Sequence, residues 1–253
     1  MLNYVEYGKE NKYDDDIFFQ KYSQMSRSQQ GLAGAGEWET LRTLLPDFKD
    51  KRVLDLGCGY GWHCIYAMEH GASSVVGVDI SHKMLEVAKE KTHFPQVEYK
   101  CCAIEDVEFP EESFDVILSS LAFHYVADYE ILVKKIYRIL KSGGKLVFTV
   151  EHPVFTAYGT QDWYYNEKGE ILHFPVDNYY YEGKRTAVFL GEKVTKFHRT
   201  LTTYLNTLLS NGFIINHIVE PQPPEYMMDI PGMHDEMRRP MMLIVSANKK
   251  VDR

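Results

Sequence analysis

Three glycines at alternate positions, Gly57, Gly59 and Gly61, directly follow the short apolar run 53–56. Glycine adopts backbone angles that other residues avoid, and its missing Cβ lets a ligand lie against the chain. A helix predicted to begin near Trp62 would turn its free N–H groups toward that ligand and attract a carboxylate or phosphate. The pattern therefore predicts a buried strand, a ligand-binding loop and a helix N-terminus in direct succession.

Two acids accompany this loop. Asp55 lies within the first apolar run, and Asp79 ends a second run at 75–79. Asp79 follows Gly57 by about 20 residues, the distance at which an acid at the end of the second strand reaches the hydroxyls of a ribose. The sequence thus predicts a ligand that contains a ribose.

The complete pattern resembles the class I S-adenosylmethionine-dependent methyltransferases of the type 11 group. Its motifs are Asp-Leu-Gly-Cys-Gly-Tyr-Gly at 55–61 and Gly-Val-Asp-Ile-Ser at 77–81. The resemblance is close over 48–150 and holds in outline over 200–247, but the general family pattern does not explain 152–199. It implies S-adenosylmethionine as the cofactor and in-line displacement at its sulfonium methyl, a reaction that requires no metal.

The resemblance also implies which residues hold the cofactor. The glycine loop would lie against the amino-acid portion, Asp79 would accept the ribose hydroxyls, and the methionine end would contact an N-terminal helix. Core packing is an equally open alternative for Met84, as are packing and surface charge for Tyr22 and Arg27. The candidate cofactor-binding residues are Tyr22, Arg27, Asp55, Gly57, Cys58, Gly59, Asp79, Ile80, Met84, Ile104, Glu105 and Ser119.

Two histidines follow predicted strands at the edge where ligands collect in such sheets. His124 lies just after the fourth strand, and His152 comes directly after the fifth, before Pro153. Histidine exchanges protons near neutral pH, so either could serve as a base. We predict His152 as the base or orienting group and His124 as its substitute; a purely structural bond from His152 to the backbone is the alternative.

Short apolar runs alternate with amphipathic segments from residue 51 onward, which indicates βαβ units and a parallel sheet. With the resemblance, this predicts an α/β fold: a doubly wound, mostly parallel seven-stranded Rossmann-like sheet whose last strand is antiparallel. We predict one domain over 1–253, with a helical cap at 1–46, a cofactor-binding core at 47–151 and 200–253, and an insertion at 152–199.

The insertion at 152–199 is rich in aromatic residues, with one group at 163–165 and another at 179–181. It lacks helical periodicity and contains turn signals, so short antiparallel β-strands are expected. Flat apolar rings with polar tips suit a small planar or cationic acceptor. We therefore predict a substrate lid, with a dimer contact as the alternative.

The composition limits the remaining classes of function. A net charge of −8 argues against a broad nucleic-acid surface, and no apolar run approaches the length of a membrane helix. The four cysteines show no zinc-ligand spacing and are expected to be reduced, which favours the cytoplasm. The expected partner is a small-molecule methyl acceptor, with the protein a monomer or homodimer that holds no metal.

Two rival functions share parts of this pattern. An NAD-dependent oxidoreductase would have the same fold and second acid, but its third glycine would stand at position 62, which is Trp62 here. A non-catalytic protein that binds S-adenosylmethionine or S-adenosylhomocysteine would keep the loop and both acids. Binding measurements with each cofactor, followed by an assay for transfer of a labelled methyl group, would separate the three functions.

Overall fold

The computed structural model describes Lys9 and residues 11–251. The helices are α1 (Asp16–Ser23), α2 (Ser26–Gln30), α3 (Trp38–Leu44), α4 (Trp62–Glu69), α5 (His82–Lys91), α6 (Tyr129–Ile139), α7 (Pro153–Ala157), α8 (Leu201–Ser210) and α9 (Met233–Glu236). The strands are β1 (Arg52–Leu56), β2 (Ser74–Asp79), β3 (Val97–Cys101), β4 (Phe114–Ser120), β5 (Leu140–Glu151), β6 (Tyr164–Tyr165), β7 (Ile171–His173), β8 (Gly183–Phe189), β9 (Glu192–His198), β10 (Phe213–Val219) and β11 (Met242–Lys249).

Seven strands form one sheet in the order β10-β11-β5-β4-β1-β2-β3. Strands β1 to β5 are parallel, whereas β11 pairs antiparallel with both β5 and β10. Residues 53–56 of β1 are all buried, as expected for a strand with helices packed on both faces of the sheet. The predicted doubly wound sheet is confirmed, and the ends of its parallel strands meet along one edge.

Side-chain caps fix the start of the helices that flank the sheet. The Ser81 hydroxyl accepts a hydrogen bond from the Met84 N–H at 3.2 Å, and the Asp128 carboxylate accepts one from the Ile131 N–H at 2.9 Å. Such caps satisfy N–H groups that have no partner within the helix. Serine and aspartate are favoured at this position, so the starts of α5 and α6 follow from the local sequence.

The N-terminal helices α1 to α3 cover part of the sheet edge. Trp38 and Leu41 of α3 are buried in the core on one face of the sheet. Asp14 ties this segment to α5, because its carboxylate accepts from the Ser81 hydroxyl at 2.6 Å and from the Lys83 N–H at 3.1 Å. Most of the first ten residues of the predicted cap, with Lys9 the exception, lie outside the described residues.

The segment between β5 and α8 contains two separate antiparallel hairpins, β6–β7 and β8–β9, as predicted from its turn signals. It begins with α7, a short helix that the sequence pattern did not indicate. Pro153 occupies the first turn of α7, where its missing N–H costs no hydrogen bond. Among the described helices, none combines the length and apolar character that a bilayer crossing requires.

Candidate active site

A cleft opens at the edge of the sheet where β1, β2, β4 and β5 end. It encloses about 1240 Å³, including its open mouth. We call its two parts the glycine-loop end and the insertion end. The glycine-loop end is lined by Tyr22, Arg27, Gly57, Gly59, Asp79, Ile80, Met84, Ile104 and Glu105, and the insertion end by Tyr13, His124, Tyr125, Glu151, Phe189 and Lys196.

Two glycines of the loop have different surroundings. Gly57 has φ +78°, and a Cβ there would overlap the Cβ of Ala122. Gly59 has φ +53°, and a Cβ there would meet nothing within 4 Å, since the residue faces the open cleft. Gly57 therefore packs the loop against the turn after β4, and Gly59 leaves bare backbone facing the cleft.

Asp79 lies at the end of β2 and lines the cleft beside this loop. One carboxylate oxygen accepts from the Gly59 N–H at 2.8 Å and the other from the Ser81 N–H at 2.9 Å. Burial raises the pKa of Asp79 above its ordinary value, and these two N–H bonds oppose that shift. A carboxylate accepts about four hydrogen bonds, so Asp79 keeps capacity for ligand hydroxyls.

The rest of the glycine-loop end combines an apolar wall with the guanidinium group of Arg27. Ile80, Met84 and Ile104 line the cleft on the side of β2 and β3. Arg27 on α2 also lines the cleft, and its Nη2 is 2.5 Å from Oε1 of Glu37, a carboxylate that is only 3% exposed. The predicted contacts from Tyr22, Arg27, Met84 and Glu105 thus all lie on one cleft, and Cys58 lines a smaller cavity beside Arg27.

Two predicted contacts lie elsewhere. Asp55 is fully buried beneath the loop, where the Cys64 thiol lies 3.5 Å from one of its oxygens and burial raises its pKa to about 7. Ser119 is turned away from the cleft, and its hydroxyl donates to the Leu56 carbonyl at 2.7 Å. Neighbouring strand residues point to opposite faces, so Ser120 lines the cleft instead.

His152 does not line the cleft, contrary to our expectation. Its Nδ1 accepts from the Val154 N–H at 3.0 Å and so caps α7, while its Nε2 lies 2.9 Å from Oε1 of Glu220. Burial lowers the pKa of His152, although Glu220 opposes that shift. This position fits a structural hydrogen bond to the backbone, the alternative stated above, better than it fits the role of a base.

His124 does line the cleft, in the turn after β4. It is 2% exposed, and burial lowers its pKa to about 4, so the ring is neutral at pH 7. Its Nδ1 accepts a long hydrogen bond of 3.4 Å from the Glu151 N–H. That bond assigns the proton of the neutral ring to Nε2, and no described residue accepts from this nitrogen.

A buried ion pair at the insertion end is the feature that sequence reasoning missed. Lys196 on β9 places its Nζ 2.5 Å from Oε1 of Glu151 at the end of β5, with side chains 4% and 12% exposed. Gln161 bonds both partners, accepting from Lys196 at 2.9 Å and donating to Glu151 at 2.6 Å. Glu151 could have been suspected from its place at the end of a parallel strand, but no pattern marked Lys196.

Arg199, directly after β9, binds the turn that carries His124. Its buried guanidinium donates to the carbonyls of Phe123 at 3.5 Å and Ala127 at 3.0 Å, and also to that of Val126. It donates in addition to the Phe197 carbonyl at 3.3 Å. One side chain thereby joins the insertion to the end of β4.

The aromatic groups predicted to form the lid lie away from the cleft. Tyr164, Tyr165, Tyr180 and Tyr181 are exposed to solvent. Trp163 packs instead beside the guanidinium groups of Arg238 and Arg239, which follow α9. The aromatic residue that the insertion contributes to the cleft is Phe189, from β8.

Comparison with known proteins agrees with this geometry. Residues 54–148 match the family described as a methyltransferase domain. A Listeria monocytogenes protein, assigned as an S-adenosylmethionine-dependent methyltransferase, is 57% identical with a TM-score of 0.84, over 87% of this chain and 99% of its own. An S-adenosylmethionine-dependent methyltransferase from Mesorhizobium loti is 41% identical with a TM-score of 0.80, over 86% of this chain and 100% of its own.

A ubiquinone biosynthesis O-methyltransferase of Coxiella burnetii is 36% identical over 112 residues, which are 44% of this chain and 47% of that protein. The Listeria and Mesorhizobium structures, in contrast, match over nearly their entire length. The sequence identity of these two proteins to this chain agrees with the position of the glycine loop and Asp79 on one cleft. Both observations indicate the same family. The chain belongs to the S-adenosylmethionine-dependent methyltransferases and uses S-adenosylmethionine as its cofactor.

Proposed function

We propose that this methyltransferase methylates a small organic molecule bound at the insertion end of the cleft. The observation that carries the proposal is a single continuous cleft, which joins Gly59 and Asp79 to buried polar groups from β5 and β9. The Coxiella burnetii relative is a ubiquinone biosynthesis O-methyltransferase. Because that match covers less than half of each chain, it supports the class of reaction and not a particular substrate.

The residues of the glycine-loop end fit the cofactor. The open space beside Gly59 admits a ligand against the backbone, and the carboxylate of Asp79 has room for the ribose hydroxyls. Ile80, Met84 and Ile104 offer an apolar surface against which the adenine ring can pack. In this assignment the cation of Arg27 attracts the carboxylate of the methionine end.

The cofactor supplies a methyl group already activated on a sulfonium sulfur. The task of the protein is then to align the acceptor, and alignment contributes up to roughly 7–11 kcal/mol in favourable models. His124, Glu151 and Lys196 supply polar contacts for the acceptor, and Phe189 supplies an apolar face. His152 takes no part in this assignment.

We further propose that two segments close the cleft from opposite sides. The helical cap at 1–46 contributes Tyr13, Tyr22 and Arg27, and the insertion at 152–199 contributes Phe189 and Lys196. In this proposal the cap mainly contacts the cofactor, and the insertion contacts the acceptor. In this proposal both form part of one domain with the core at 47–151 and 200–253.

The proposal is tested by binding and turnover measured on the same preparation. Isothermal titration should show S-adenosylhomocysteine binding and no binding of NAD. Incubation with S-adenosylmethionine carrying a labelled methyl group and a deproteinised metabolite extract should yield labelled small molecules. Binding without any labelled product, or label found only on macromolecules when these are added, would count against a small-molecule acceptor.

A further inference from the structure

Lys196 is a buried cation that lines the cleft. It lies on β9, and its side chain is 4% exposed. Taking an ammonium group out of water is unfavourable unless other groups compensate, so buried lysines are rare unless paired. Lys193 on the same strand is exposed to solvent. The strand therefore turns one lysine toward solvent and the other toward the acceptor region.

The hydrogen bonds of Lys196 leave capacity for a ligand. An ammonium group has three N–H donors. Oxygens of Glu151 and Gln161 accept two of them, at 2.5 and 2.9 Å. The rings of Phe189 and Tyr125 flank the nitrogen, with centroids 5.5 and 5.9 Å away. Among the described residues, Glu151 and Gln161 are the acceptors for this ammonium group, so a ligand oxygen in the cleft can accept the third N–H.

His124 presents a second donor to the same region. Because its Nδ1 accepts from the backbone of Glu151, its neutral ring offers the Nε2 N–H. Glu151 also connects the two donors, since its carboxylate holds Lys196. A proton donor and a cation thus face the acceptor from β4 and β9.

Glu151 is poorly suited to act as a base. Burial alone would raise its pKa, but His124, Lys196 and Gln161 together hold the pKa below its ordinary value. Each of its oxygens already accepts a hydrogen bond, from Lys196 or from Gln161. The carboxylate therefore stays ionised and holds Lys196 in place.

We propose that the acceptor attacks through an oxygen that carries negative charge, a carboxylate or an acidic hydroxyl, held by Lys196 and His124. This rests on the proposed function. A hydroxyl would lose its proton to solvent as it binds beside the Lys196 cation. The oxygen lone pair then forms the new C–O bond, the C–S bond breaks, and its electron pair remains on sulfur. An ammonium acceptor fits less well, because both oxygens of Glu151 already accept hydrogen bonds, from Lys196 and from Gln161.

The test compares two probes of similar size and opposite charge, benzoate and benzylamine, on protein saturated with S-adenosylhomocysteine. Isothermal titration should show benzoate binding at least tenfold more tightly than benzylamine. Lys196→Met in a Glu151→Gln background should abolish this preference, and Glu151→Gln alone should increase it, because it removes the neutralising anion. Lys193→Met makes the same substitution on the exposed face of β9 and should change nothing.

The affinity for S-adenosylhomocysteine, measured in every variant, separates the outcomes. If the unaltered protein fails to bind S-adenosylhomocysteine, the proposed function falls together with this inference. If it binds, the inference alone is overturned by any of three results: equal or tighter binding of benzylamine, a preference for benzoate that survives the loss of Lys196, or no measurable binding of either probe. A preference that rises with Glu151→Gln and disappears with Lys196 supports the inference, because general loosening of the structure would weaken both probes alike.

Discussion

The pair of Glu151 and Lys196 should stabilise the folded protein only as a pair. Both side chains are nearly buried and their charged atoms are 2.5 Å apart. Removing one partner leaves the other charge buried without compensation, which typically destabilises by about 3–5 kcal/mol. For a domain of this size each kcal/mol lowers Tm by about 2–4 °C, so Glu151→Gln or Lys196→Met should lower it by roughly 6–20 °C.

The assay measures the free energy of unfolding of four proteins: the unaltered chain, each single variant and the double variant. Each is unfolded by heat and by urea at pH 7. Removing both charges leaves no unpaired ion, so the double variant should lose much less stability than the sum of the two single losses. Since the pKa of Glu151 is held below 4.5, the coupling should persist down to that pH and then decline as the carboxylate is protonated. Single variants within about 1 kcal/mol of the unaltered chain, or additive losses, would refute the reasoning.

Three further predictions concern single residues. Asp79→Asn should weaken S-adenosylhomocysteine at least tenfold by calorimetry, because charge-assisted bonds contribute about 1.5–3 kcal/mol each, and an unchanged Kd would exclude the ribose assignment. His152→Gln should keep most of its turnover and lose about 0.5–2 kcal/mol of stability as α7 loses its cap; a hundredfold fall in kcat would return His152 to the chemistry. His124 is neutral when folded, with a pKa of about 4 against an ordinary 6.5, so folding stability should fall as pH drops below 6.5. At pH 5 the loss from this residue should be about 2 kcal/mol relative to pH 7, and urea titrations of His124→Gln should show a correspondingly smaller drop.

The parts of the fold that the sequence predicted are those where local signals agree. Ser81 and Asp128 mark helix starts by their own hydrogen bonds, and continuous apolar runs mark strands buried on both faces. The helix α7 was missed because it is short and depends on a histidine cap. Its Pro153 does not identify the helix, because proline restrains the preceding residue to extended backbone and is equally suited to a first helical turn.

The site shows a different limit. Asp79 and Gly59 were predictable because a fixed motif spacing ties them to a ligand. Which of two neighbours at a strand end faces the cleft depends on the strand's register in the sheet, and both choices made from sequence, Ser119 and His152, were on the wrong side. The contact between Lys196 and Glu151 was harder still to predict. The two residues are 45 positions apart in the sequence, and they meet only through the docking of β9.

The hydrogen bonds of Arg199 decide whether the insertion can be exchanged as a module. Its guanidinium holds carbonyls in the turn after β4 and one within β9, so the core and the insertion share a single buried donor. A chimera that replaces 152–198 with a relative's segment must keep this arginine in register with the 123–127 turn. Otherwise His124 would be displaced, and this displacement would itself alter the selectivity for acceptors. The change would then be wrongly attributed to the grafted side chains alone.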